Sequence, residues 1–196
     1  MPWPKLRKSR ETEEQQKPAL KVKLPSAEQR LQKLAQKLDE IPAKDLLRIE
    51  QAKEVERKQN AAGSELHHLC RSFVRRLNGM LTKLELEFTP QDYSPESLDG
   101  PTGSLFQINA SGRIIQISVL SKEAAISTEH YRIPYILEGR VRWFNQELLD
   151  RQEIQEAQIF YCVDSSGDSW RYYDARTRNS GRLSQEFLMQ VLEQIV

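Results

Sequence analysis

Residues 64–88 read SELHHLCRSFVRRLNGMLTKLELEF, and the change of rhythm inside this stretch decides the fold. Leu66, Leu69, Cys70, Phe73, Val74, Leu77, Met80 and Leu81 recur at three- and four-residue steps, which puts them on one broad helical face. From Leu84 to Phe88 apolar and acidic residues alternate strictly, the period of a half-buried strand. The period changes near Lys83. The spacing therefore predicts a long helix over 65–82 that runs with almost no loop into a strand over 84–88.

Downstream, short strands are expected in hairpins. Segments 105–109 and 113–120 flank Ala110-Ser111-Gly112, where Gly112 supplies a positive φ. Segments 131–137 and 140–144 flank Glu138-Gly139, with Pro134 marking an edge or a bulge. A short polar helix is expected within 145–156. Segments 158–163 and 169–174 then flank the turn from Asp164 to Asp168. A terminal helix over 184–195 starts at Ser184, with Leu183 and Leu188 as a hydrophobic staple and Phe187, Val191, Leu192 and Ile195 on the buried stripe. The result is an α+β fold: an antiparallel sheet of about seven short strands, flanked by the 65–82 and 184–195 helices, with a helical N-terminal arm. The Pro- and Gly-rich stretch 89–103 reads as a long loop, the kind that is mobile or functional.

Upstream, aromatic residues almost vanish. Trp3 is the only one of fifteen before residue 61, so the packed interior belongs to the later part of the chain. Residues 1–25 carry four prolines and seven Lys/Arg against three Glu, which reads as a disordered basic tail densest at Lys5, Arg7, Lys8 and Arg10. Ser26 and Gln29 form a capping box ahead of a helical seam, Leu31, Leu34, Leu38 and Ile41. Pro42 breaks the seam after two heptads, short of a sustained coiled coil. It suits the first turn of a second segment carrying Leu46, Leu47, Ile49 and Val55. Gly63 reads as a break and Ser64 as the next cap, dividing the chain into a tail (1–25), a helical arm (26–62) and a globular domain (63–196). The net charge of +1 divides into +5 for residues 1–60 (15 basic, 10 acidic) and −4 for the rest (14 basic, 18 acidic).

The chemistry-bearing residues do not assemble into a catalytic pattern. His67, Cys70, His130 and Cys162 match no zinc-ligand spacing and read as packed or ordinary side chains, and the same holds for a Cys–His nucleophile. The turn from Asp164 departs from a calcium loop, with Ser169 where glycine is required and Ala175 where the bidentate Glu belongs. No dinucleotide fingerprint, phosphate loop or nucleophile elbow occurs. No catalytic residue, metal or cofactor is therefore expected. Two cysteines in apolar surroundings, no leader-like apolar run and no membrane-length segment together suggest a cytoplasmic protein without membrane contact.

The distinctive pattern is arginine interleaved with aromatics in the late strands. Arg140 and Arg142 alternate with Val141 and Trp143, Arg171 lies between Trp170 and Tyr172, and Tyr173 shares the outward side with Arg171. Arg132 joins that side, and Arg176, Arg178 and Arg182 crowd the expected loop after the last strand. Arg and Tyr are enriched in protein hot spots, and the same mixture stacks and neutralises single-stranded nucleic acid. Cross-strand pairing with Glu138 and Asp174 is the structural alternative. The expected function is a non-enzymatic interaction or assembly module, self-associating through the arm or binding another protein. The alternative is a nucleic-acid-binding protein using the basic tail and the arginine face.

Overall fold

The computed structural model describes residues 26–98, 103–128, 132–165 and 167–196. Contacts divide the chain after Lys44 into two compact units, the second running from Asp45 to Val196. In the first unit, α1 (Ala27–Asp39) opens on a capping box: Ser26 Oγ accepts from the Gln29 N–H at 3.3 Å, and Gln29 Oε1 accepts from the Ser26 N–H at 3.2 Å. No residue of α1 is buried.

The longest element is α2 (Ile41–Asn78). It does not break at Gly63, and the expected start of the globular domain there falls inside a continuous helix. The glycine serves packing instead. A Cβ at position 63 would collide with the Tyr93 ring and hydroxyl, so its absence lets the 89–98 stretch close over the helix. Leu98, at the end of a 3-10 turn (Pro95–Leu98), is buried beside it. The part of α2 that is buried (Gln59, Ala62, Gly63, Leu66, His67, Cys70, Phe73, Val74) steps by threes and fours.

The helix ends at Asn78, earlier than 82, leaving Met80, Leu81 and Leu84 exposed. Asn78 explains the stop. Its amide donates to the Leu86 carbonyl at 2.9 Å and accepts from the Leu86 N–H at 2.8 Å, imitating a strand neighbour. The first strand is correspondingly short.

Seven antiparallel strands follow in sequence order across one sheet: β1 (Glu87–Thr89), β2 (Ser104–Ala110), β3 (Arg113–Ile126), β4 (Tyr135–Phe144), β5 (Gln155–Cys162), β6 (Ser169–Asp174) and β7 (Asn179–Arg182). Two expectations inside this meander are corrected. The hairpin at Glu138-Gly139 does not form, because β4 passes straight through it and Gly139 pairs with both Val119 and Ile159. A Cβ at Gly139 would strike the Ser118 carbonyl, so close strand approach, not turning, requires the glycine. The region after Asp174 also contains β7, so Arg182 ends a strand and does not lie in a loop. The Ser111-Gly112 turn has positive φ at both residues (53° and 85°), the geometry of a two-residue hairpin with right-handed strand twist.

A short helix α3 (Gln146–Asp150) links β4 to β5, and α4 (Gln185–Glu193) closes the chain, capped by Ser184. The core lies between one sheet face and the two helices α2 and α4. Ile115, Ile117, Val141, Ile159 and Trp170 are almost fully buried there. Trp170 Nε1 donates to the Ala62 carbonyl at 2.9 Å, and the rings of Tyr172 and Phe187 lie 4.3 Å apart. Gln59, also buried, donates to the carbonyls of Lys122 (2.6 Å) and Ile136 (3.0 Å), where the β3–β4 ladder slips register.

Candidate functional site

Strand alternation puts the arginines on the sheet face opposite α2 and α4. Val141 and Trp143 point into the core, which turns Arg140 and Arg142 outward; Trp170 does the same for Arg171 and Tyr173. Register then fixes their neighbours. Arg140 pairs with Ser118 and Gln158, and Gln158 pairs with Tyr173, so these residues form one row across β3–β6. In the next row Glu138 faces Phe160, Phe160 faces Arg171, and Arg171 faces Arg182. A small apolar cluster of Tyr135, Phe160 and Cys162, with Ile133 and Tyr173 packed on it, occupies the same face.

The arginines differ in their partners. Arg142 bonds Glu156 at 3.3 Å in an exposed pair. Glu138 is held by Lys122 at 2.6 Å, not by an arginine. Among the described residues, Arg140, Arg171 and Arg182 form no ion pair. Arg132 is exposed ahead of β4, while Arg176 and Arg178 lie in the turn between β6 and β7, at the end of that hairpin away from Arg171 and Arg182. Asp174 accepts from the Thr177 hydroxyl at 2.7 Å and the Arg176 N–H at 2.9 Å, organising that turn. Burial alone would raise its pKa, but these donors and the nearby Arg176 charge outweigh it and hold the carboxyl below its usual value.

Two hollows border this face. One of about 290 Å³ lies beside Arg140, Glu138 and Phe160. The other, about 480 Å³, lies at the β6–β7 edge between Arg171, Arg182, Ser169 and Ser180. Nothing in the sequence marks the second: residues 179–182 read NSGR, without the apolar alternation that signals a strand.

The remaining candidates fall elsewhere. Lys5, Arg7, Lys8 and Arg10 lie outside the described residues, as does His130. His67 is buried among the rings of Phe88, Tyr93 and Phe106, with Nε2 3.0 Å from the Pro90 carbonyl. Cys70 is fully buried, and burial pushes its thiol up to about 12, leaving it protonated at neutral pH and unsuited to nucleophilic attack. Near the Lys58–Asp168 pair (2.8 Å), burial raises the Tyr161 hydroxyl, with the Glu65 and Asp168 charges adding to the effect. Leu31, Leu34, Leu38 and Ile41 are 46–66% exposed. No described helix is long and apolar enough to cross a membrane. No protein-family model, curated protein or solved structure matches the chain.

Proposed function

We propose that the protein is a non-enzymatic assembly module that pairs with a second copy of itself through α1. The carrying observation is the solvated apolar seam of Leu31, Leu34 and Leu38 on the capped helix α1, continued by Ile41 at the start of α2. Charge across α1 and the first residues of α2 supports a copy in antiparallel orientation. Residues 26–37 hold Glu28 against Arg30, Lys33 and Lys37, net +2, while residues 38–44 hold Lys44 against Asp39 and Glu40, net −1. Antiparallel pairing sets each half against its opposite.

Burying a leucine is worth roughly 1.5–3 kcal/mol at most, and association costs about 4–15 kcal/mol, so a four-residue seam supports a reversible dimer. Sedimentation of the full chain over increasing concentration is expected to show mass rising from monomer toward dimer. The Leu34→Glu, Leu38→Glu double variant should remain monomeric with unchanged thermal unfolding. Identical masses for both proteins at every concentration overturn the reading.

A second reading, nucleic-acid binding, is supported by Arg140 and Arg171 standing unpaired beside Tyr173 on a sheet face to which no described helix contributes apolar contacts. It requires affinity for a random oligonucleotide that falls steeply with salt.

A further inference from the structure

We propose that the hollow at the β6–β7 edge binds a phosphate monoester between the guanidiniums of Arg171 and Arg182. The Leu183 N–H donates to the Trp170 carbonyl at 3.0 Å, which makes the adjacent Arg171–Arg182 pair a non-hydrogen-bonded one, where facing side chains come closest. Two like charges facing each other there repel. Their acidic neighbours offset the repulsion only in part. Asp168 at the rim is engaged by Lys58 at 2.8 Å, and Glu65 on α2 senses the Arg182 charge without bonding to it.

The hollow of about 480 Å³ exceeds the needs of a bare oxyanion. Ser169 and Ser180 supply hydroxyls beside the arginines, and Ile133 supplies apolar wall for an organic portion. A phosphate monoester carries close to two charges at neutral pH, its second pKa being ~6, and offers three acceptor oxygens to two planar forks. A carboxylate or phosphodiester brings one charge and answers only half of the pair. The site is independent of α1 pairing.

Calorimetric titration of the full chain with phosphoserine, inorganic phosphate and a random oligonucleotide lacking terminal phosphates tests it, with sodium chloride matching ionic strength. One saturable site is expected, weakened about tenfold or more in Arg171→Gln and in Arg182→Gln, and unchanged in Arg140→Gln, which lies on the same face outside the hollow. Tighter phosphoserine identifies an organic monoester as the ligand; equal binding identifies free phosphate, and both support the site. No saturable binding, equal loss in Arg140→Gln, or equal binding of the oligonucleotide overturns it. Thermal unfolding at low salt gives a second measurement. Arg171→Gln should unfold no earlier than the parent without phosphate, because repulsion is relieved, and should lose the phosphate-dependent rise in midpoint. An earlier midpoint with that rise retained overturns the proposal.

Discussion

Two helical stretches of this chain carry apolar residues at the same spacing and meet opposite fates. In α1, Leu31, Leu34 and Leu38 stand more than half exposed, whereas Leu66, Cys70 and Phe73 of α2 are buried. The difference lies less in hydrophobicity than in what surrounds each row. Residues 59–74 include Ala62 and Gly63, which admit Trp170 Nε1 to a helix carbonyl and the Tyr93 ring to the backbone. They also include Gln59, which satisfies two carbonyls where the ladder slips. α1 carries Ala27 and Ala35 besides its leucines, but no described side chain of the sheet or its loops is fitted against them and none of its residues is buried. A seam becomes a core when the helix also carries the groups that fit one particular surface.

The contrast can be broken most sharply by truncating one leucine in each row. Leu66→Ala should cost about 2–5 kcal/mol in urea unfolding, because a fully enclosed side chain leaves a cavity. Leu34→Ala, measured where the chain is monomeric, should stay within about 0.5 kcal/mol. Similar losses at both sites would mean that α1 is packed as firmly as α2.

Gln59→Leu sharpens the same comparison from its polar side. Two carbonyls lose their donor in a buried setting, so unfolding should move by about 1–3 kcal/mol despite the more apolar replacement. A neutral result would show that the slipped ladder needs no support from the helix.

The smallest effect belongs to the β6–β7 turn. Because the folded Asp174 carboxyl titrates below its unfolded value, its stabilisation is present above the unfolded pKa and is lost as pH falls through the folded one. Asp174→Asn should therefore lower stability by less than about 1 kcal/mol at neutral pH, the gap closing in acid. A gap that stays constant across pH would assign the turn to shape, not charge.

Signals legible in the sequence were those whose partners lie within a few residues. The Ser26–Gln29 box, the Ser184 cap and the Ser111-Gly112 turn are all local, and each is present. The two glycines read as punctuation, Gly63 and Gly139, answer instead to Tyr93 and to the Ser118 carbonyl. Neither neighbour falls within a local window. The strand number agreed through compensation: two expected strands are one continuous β4, and β7 carries no hydrophobic rhythm. The outward direction of Arg140 and Arg171 followed from alternation, but the facing of Arg171 and Arg182 required β7 and its register.

The order in which α2 and its counterparts occur along the chain governs how this domain is born. A ribosome releases the helix before any strand that shields it, and Trp170, the ring that fastens the helix at Ala62, emerges 108 positions later. Neighbouring strands of the meander pair as they appear, a kinetically quick process because their contacts are short-range. The nascent helix keeps an oily flank open until β6 arrives, so products that stop before residue 170 are expected to be the ones that seek chaperones or clump.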